Sequence, residues 1–348
     1  MSVERHSSID ALAEEWDALA ERTGATPFDY PGWIAAWWAA FGAGRLEVVA
    51  VREGGELTAV LPLVRRTRGV RLPTNGHSPS FAPIGSEDGI AEACDAVFAP
   101  RPVYVWARFV TSAAPLRSSA KRHGYATVER VAQRSPYVRL EGFSLGDRAQ
   151  ARIRRLGRRG HVELDVVDGA DGLAEPLRRA FELEASGWKS ALRTAIASDP
   201  RTVRFYTEIA AWAAERGMLR LVFLRLDGRP IAADIVLLHG GRTYDLKGGY
   251  DPEFARYSPG LVLQAMLIEW AAAHGCATHE LLGDAEQWKL EWTDLVRPRF
   301  ELVALGGGIG ARIALGALAR AVPAARLAGR QIMRRRAIRA RGTAAGRR

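Results

Sequence analysis

The chain has 348 residues, 48% hydrophobic and 25% charged, the balance of a folded globular protein with length for about two domains. Its formal charge of +10 suggests a polyanionic partner until the charge is located: residues 306–348 hold eleven arginines and no acid, and residues 1–305 carry the other 38 basic residues against 39 acids, summing to −1. Two cysteines, Cys94 and Cys276, exclude a disulfide framework or a Cys-based zinc site and predict a reducing, cytoplasmic home. The first ten residues lack an apolar core, so no signal peptide is predicted, and no apolar run reaches the roughly 18 residues of a membrane span.

In chain order, residues 11–22 have helical spacing (Leu12, Trp16, Leu19), and residues 31–41 form a second, Trp-rich helix predicted to be buried. Strands follow at 46–52 and 57–64 around the turn Glu53-Gly54-Gly55-Glu56. Residues 71–85, rich in Pro, Gly, Ser and Asn, read as a long loop in which His77, Ser78 and Ser80 either close over an acceptor or are simply solvated. A helix at 91–98, a strand at 103–109, a helix at 114–123 and a strand at 135–140 complete the first half. The second half reads as a helix at 205–216, strands at 219–226 and 231–238 around Asp227-Gly228, a strand at 243–248, a helix at 258–274, and strands near 278–282 and 299–304. Moving Leu46 onto Leu219 carries Gly55 onto Gly228, so helix, strand, glycine turn and strand recur, a pattern common in α/β proteins that by itself leaves duplication open. Alternating strands and helices imply an α/β fold with a mixed sheet in each half.

Arg256-Tyr257-Ser258-Pro259-Gly260 opens the helix at 258 with a good N-cap, a proline suited to the first turn and a glycine that admits a ligand to free N–H groups. Such a terminus suits a pyrophosphate or carboxylate, or is only an ordinary capped helix. The 49 basic residues include just four lysines, and three of them, Lys189, Lys247 and Lys289, lie beside aromatics or glycines: Trp188-Lys189, Lys247-Gly248-Gly249-Tyr250 and Trp288-Lys289. They are substrate handles or structural cation–π partners. No His/Cys spacing suggests a metal site.

Phe181-x-x-Glu184-x-x-x-Trp188-Lys189, Asp227-Gly228-x-Pro230-Ile231-Ala232, Gly249-Tyr250-Asp251-Pro252-x-Phe254-x-x-Tyr257-Ser258-Pro259-Gly260 and Leu282-Gly283-x-x-Glu286-x-Trp288-Lys289-x-x-Trp292 resemble, in order, the motifs of the CelD-like branch of the GNAT N-acyltransferases, relatives of the FemAB-type aminoacyltransferases. The resemblance covers about residues 10–300 and implies tandem GNAT-like domains at 1–147 and 148–305, the second with the active site, before a basic tail at 306–348. It implies acyl transfer from acetyl-CoA or another acyl-CoA, without a metal, to a small-molecule or glycan amine in polysaccharide or envelope biosynthesis. Arg256, Tyr257, Ser258, Pro259 and Gly260 would hold the donor, and Trp188, Lys189, Lys247, Tyr250 and Glu286 the substrate. One departure stands out: the common phosphate loop of the superfamily, Arg/Gln-x-x-Gly-x-Gly/Ala, is replaced here by Arg256-Tyr257-Ser258-Pro259-Gly260-Leu261. FemAB-like relatives also depart there, and they draw on aminoacyl-tRNA; a GNAT fold kept only for binding is the further alternative.

Acyl transfer needs a base for the amine proton and donors for the developing oxyanion. Alternation along 231–238 places Ala232, Asp234, Val236 and Leu238 on one face, making Asp234 the lone carboxylate of an apolar strand and the leading base candidate. Glu184 is the second candidate, and Lys289 completes the catalytic set. Arg148, Arg152, Arg154, Arg155, Arg158 and Arg159 crowd one short helix that either contacts an anion or is solvated. In the tail, Arg326, Arg330 and Arg334 recur on one helical face. Such a segment docks on the anionic inner face of a membrane or stays disordered, and its lack of aromatics tells against single-stranded nucleic acid.

Overall fold

The computed structural model describes residues 1–186 and 195–308, with 310, 311, 313, 315 and 316. Trp188, Lys189 and the arginine face of the tail lie outside them. The described residues form two compact units: residues 1–38 and 42–132 with those from 299 onward, and residues 39–41 with those of 133–298.

The first unit contains β1 (Ser2–His6), α1 (Ala13–Arg22), most of α2 (Pro31–Phe41), β2 (Arg45–Glu53), β3 (Glu56–Arg65), β4 (Gly69–Arg71), β5 (Ile84–Gly85), α3 (Glu87–Phe98), β6 (Tyr104–Val110) and α4 (Ala114–Arg122). From β7 (Ala126–Arg139), the second unit takes residues 133–139, followed by α5 (Asp147–Gly157), β8 (Val162–Val167), α6 (Ala174–Ala185), α7 (Pro200–Glu215), β9 (Leu219–Leu226), β10 (Arg229–His239), β11 (Arg242–Tyr250), α8 (Pro259–Ala273) and β12 (Thr278–Glu280). The last strand, β13 (Val296–Leu305), pairs through Phe300–Leu305 with β6 of the first unit.

Within the first unit the strands run β1-β2-β3-β4-β6-β13, and within the second β8-β9-β10-β11-β12-β7. Every pairing in both is antiparallel except the fourth with the fifth, β4 with β6 and β11 with β12. The duplication extends to register. Moving Leu46 onto Leu219 converts the pairs Arg52↔Leu57 and Val51↔Ala59 into Arg225↔Pro230 and Leu224↔Ala232, with the same one-residue bulge between them. Both hairpins close on two residues of positive φ, Gly54-Gly55 (+60°, +89°) and Asp227-Gly228 (+49°, +79°), whose twist matches that of the flanking strands. The fold is therefore two mixed α/β sheets of one topology, as expected.

Where the sequence places domain ends at 147 and 305, the units exchange a strand: 133–139 serves the second sheet and 299–305 the first. Edge strands β1 and β8 and helix α6 are further elements that the periodicity does not reveal. The loop at 71–85 is not simply solvated. Trp33 Nε1 donates to Ser78 Oγ (3.0 Å), the Ala82 N–H to Asp29 Oδ1 (2.7 Å), and Ser78, Ser80 and Phe81 are buried. Trp16 and Trp33 are buried as predicted, Trp16 Nε1 donating to the Asp29 carbonyl. In the second unit, Val262, Leu263 and Leu267 of α8 pack on Val222, Leu224, Ala232 and Val236 of β9 and β10, each buried large aliphatic contributing about 1.5–3 kcal/mol.

Candidate active site

β11 and β12 run side by side only from Arg242↔Thr278 to Tyr244↔Glu280, after which β12 ends and β11 continues to Tyr250. The sheet opens there, and α8 begins just after the strand that lines the opening. Ser258, expected as a side-chain cap, instead takes a left-handed conformation (φ +56°, ψ +53°) and makes no side-chain cap bond. The reason is the preceding 3-10 turn Pro252–Tyr257, which Ser258 terminates while its carbonyl accepts the N–H groups of Leu261 (3.0 Å) and Val262 (3.1 Å). Pro259 has no N–H, so Gly260 offers the remaining first-turn donor. Tyr250 packs beside Gly260, where a Cβ would lie 3.4 Å from its ring. Two guanidiniums flank the Tyr257 ring, Arg256 at 4.8 Å and Arg155 of α5 at 5.6 Å from its centroid. This end of α8 joins a helix terminus to positive charge.

Under α8 lies a layer of buried polar groups. Gln264 Nε2 donates to Asp234 Oδ2 and to Asp245 Oδ2, both at 2.7 Å. Its Oε1 contacts His279 Nε2 at 3.2 Å, and His279 Nδ1 contacts Thr243 Oγ1 at 2.8 Å. Gln264, Asp234, Asp245, His279 and Thr243 are all buried. Burial pushes the His279 imidazole down to about 4, so it is neutral at physiological pH. Gly248 makes the layer possible, since a Cβ there would fall on Asp234 Oδ1.

Glu184 and Lys247 sit on the opposite face of the sheet. A bulge in β11 at Leu246 separates the pairs Val236↔Asp245 and Ile235↔Lys247. Cross-strand partners share a face, so Asp245 and Gly248 lie with Val236 and Asp234 toward α8, and Lys247 and Gly249 lie with Ile235 and Ala233 toward α6. There Glu184 Oε1 is 3.7 Å from Lys247 Nζ, and Glu184 Oε2 accepts the Ile196 N–H at 2.7 Å. Gly249 lets α6 approach: a Cβ would stand 2.7 Å from the Leu183 carbonyl and collide with the Glu184 Cα. Tyr206 of α7 is pushed up by burial and by the charges of Glu184 and Asp245.

Lys289 joins neither face. Its ammonium donates to the Leu282 carbonyl (2.8 Å), where Leu282 and Gly283 both have positive φ, and lies 3.7 Å from Glu286 and 5.2 Å from the Trp288 ring centroid. Glu286 also accepts from Trp288 Nε1 at 3.0 Å. Lys289 and Glu286 thus brace the turn after β12. The six arginines near α5 leave Ala149 and Leu156 buried, and Arg148 and Arg152 line a cleft of about 180 Å³ with Phe143 and Trp292, Arg152 also pairing with Glu291 at 2.7 Å.

The structure brings Asp234 together with Asp245, Gln264 and His279, the last three unforeseen, and parts it from Glu184 and Lys289. Gln264 had one visible signal: it is the sole polar residue between Pro259 and Ile268. Chemically, the arrangement combines a helix N-terminus beside two guanidiniums, an opening in the sheet beside a bulge, and buried carboxylates. Among the described residues no cluster of His, Cys, Asp and Glu fits a metal, and no helix is long and apolar enough to cross a membrane.

Comparison with known proteins agrees with this topology. Residues 147–290 match the acetyltransferase (GNAT) domain family. The C-terminal domain of a putative lysylphosphatidylglycerol synthetase from Agrobacterium fabrum superposes with a TM-score of 0.59 at 15% identity, covering 88% of this chain and 95% of that one. FemX superposes with a TM-score of 0.60 at 13% identity, covering 91% and 99%, and L-PGS from Bacillus licheniformis with 0.56 at 12%, covering 88% and 95%. A search of the curated proteins returned no match. Residues 147–290, which hold the polar layer, the sheet opening and the start of α8, are thus the part of the chain that is similar to the acetyltransferase (GNAT) domain family, and the chain shares its fold with FemX and the lysylphosphatidylglycerol synthetase domain.

Proposed function

We propose that the chain is an N-acyltransferase, of the CelD-like branch, that moves an acyl group from acyl-CoA to an amine on a small molecule or glycan. The observation that carries the reading is the parting of β11 from β12 directly before the end of α8, with Asp234 and Asp245 buried behind it. The bound thioester supplies the activated acyl group. Arg155, Arg256 and the Gly260 N–H hold its anionic end, and Tyr250 walls it. Asp234 accepts the proton of the attacking amine as the C–N bond forms and the C–S bond breaks. Glu184 and Lys247 fix α6 against β11 beside the opening, and Lys289 with Glu286 shapes its other rim. Titration of the chain with acetyl-CoA in a calorimeter tests the donor; Asp234→Asn is expected to abolish turnover while leaving donor binding intact, and undiminished turnover removes Asp234 from the chemistry.

A second reading is favoured by the sparse donors at α8, where only Gly260 offers a free first-turn N–H, and by the arginines of α5. On it the acyl group is an aminoacyl group delivered by tRNA, which predicts no heat with acetyl-CoA and transfer from charged tRNA. On either reading the protein works in the cytoplasm, and the arginines of residues 306–348 draw it to an anionic membrane surface. Sedimentation with anionic vesicles checks this: a chain ending at Leu305 should stay in solution, and equal pelleting of both forms excludes the anchor.

A further inference from the structure

The polar layer has a direction. Gln264 has two amide hydrogens and one carbonyl oxygen, and each is engaged: the hydrogens by Asp234 and Asp245, the oxygen by His279. A carbonyl oxygen can only accept, so His279 must donate from Nε2, which leaves Nδ1 bare to accept the Thr243 hydroxyl hydrogen. Every proton from Thr243 through His279 to Gln264 therefore points toward the carboxylates. The opposite amide orientation would turn the Gln264 oxygen on two buried acids.

We propose that Gln264 is a positioning residue that clamps Asp234 and Asp245 together as one acceptor pair, with Thr243 and His279 locking its amide from behind. The inference rests on the reading of Asp234 as the base and adds Asp245 as its partner. Both Oδ2 atoms lie 2.7 Å from one nitrogen, so they are at most about twice that distance apart. Two buried carboxylates so close repel unless a donor lies between them, and hydrogen bonds to the ionised form keep each available to accept a proton. Among the described residues, titratable groups that face the pair include Tyr206 from α7, whose phenol feels the charge of Asp245, and His279 from β12. Glu184 and Lys247 pair on the far face, Glu280 of β12 is held by Arg297, and Glu269 of α8 is exposed. Because α8 also carries the anion-facing terminus, Gln264 links the seat of the donor to the base through one rigid helix.

The test is a carboxyl titration that needs no substrate: the full chain is labelled with ¹³C at aspartate Cγ, Asp234→Asn and Asp245→Asn assign the two resonances, and Gln264→Met removes the clamp at similar volume. The expected result is an upward movement of both carboxyl pKa values by about one unit or more in Gln264→Met, the size that lost hydrogen bonds to a charged group imply. Thr243→Val, nearly isosteric and outermost in the chain, should move them the same way by less, and it decides the matter if Gln264→Met does not fold. Unmoved carboxyl resonances in a folded variant overturn the clamp. With an active donor in hand, the acid limb of the kcat profile should move with the titration in Gln264→Met at unchanged donor affinity, whereas a purely structural role lowers thermal stability without moving that limb. If Asp234→Asn turns over normally while the carboxyls still shift, the base assignment falls and the clamp stands.

Discussion

Gly248 and Gly249 are adjacent, face opposite sides of β11, and give a sharp test of the packing. Neither needs positive φ, so alanine at either site would by itself stabilise the strand by about 0.5–1 kcal/mol through backbone entropy. At Gly249 the new methyl meets the backbone of Leu183 and Glu184, which cannot yield without moving α6, an overpacking cost of about 1–3 kcal/mol. At Gly248 it falls on the Asp234 carboxylate, which can swing away but then loses Gln264, about 1.5–3 kcal/mol for a hydrogen bond to a charged group, and it also comes within 2.9 Å of the Ala233 carbonyl oxygen. Both single variants are expected to lose a net 1–2 kcal/mol or so, roughly 2–8 °C in melting temperature for a domain of this size. The pair separates in a background of Asp234→Ala, followed by calorimetric melting. There Gly248→Ala no longer meets the carboxylate and keeps only its close approach to the Ala233 carbonyl, so it should cost clearly less, while Gly249→Ala keeps its full cost. Equal destabilisation by Gly248→Ala in both backgrounds would falsify the placement of Asp234 over Gly248.

The remaining predictions concern pH and thiol chemistry. His279, held at about 4 against an ordinary 6.5, makes the second unit fully stable above pH 6.5 and progressively weaker down to pH 4, by about 3 kcal/mol at 1.4 kcal/mol per pH unit; His279→Gln should flatten that slope in melting scans. Asp29 has the opposite sign: burial, outweighing its bonds from Thr26 and Ala82, raises it from 3.8 to about 6, so its contribution is present below about pH 4 and lost as pH rises through 6. Asp29→Asn should therefore gain stability relative to the parent at pH 7.5 and not at pH 4, and a constant difference across that range would count against the buried carboxyl. Cys94, pushed up to about 12, and Cys276, also raised by burial, should both resist a thiol reagent at pH 8 until denaturant is added; prompt native labelling of Cys94 would contradict its burial.

Much of the fold could be read from local signals because its hairpins announce themselves. Gly54-Gly55 and Asp227-Gly228 are turn pairs between β-rich runs, and the helix before the second of them has apolar spacing. β1 and β8 escaped because each is a short edge strand mixing charged and apolar residues, Ser2–His6 with two charges and Val162–Val167 with Glu163 and Asp165. The strand exchange between the units escaped for a different reason. Pairing of β13 with β6 and of β12 with β7 is a long-range choice that no window of sequence contains.

The site shows the same division between local pattern and tertiary accident. Period-2 alternation placed Asp234 with Ala232 and Val236, and β10 obeys it on that face. Carried along β11, the same rule would have put Thr243, Asp245, Lys247 and Gly249 together, and joined the Glu184 pair to the Asp234 layer in one catalytic cluster. One extra residue, Leu246, reverses the parity, so Asp245 joins Asp234 and Lys247 crosses to Glu184. The repeat sharpens the point. Under the shift that superposes the two hairpins, register and bulge included, the position of Asp234 falls on Leu61, buried in β3. Fold and chemistry have separated in this duplication: the first unit keeps the strand order with a leucine where the second keeps a carboxylate. The buried carboxylate belongs to this strand of the second unit and not to its counterpart in the first, and converting Leu61 to Asp would install a buried charge without the glutamine and histidine that make the charge tolerable at Asp234.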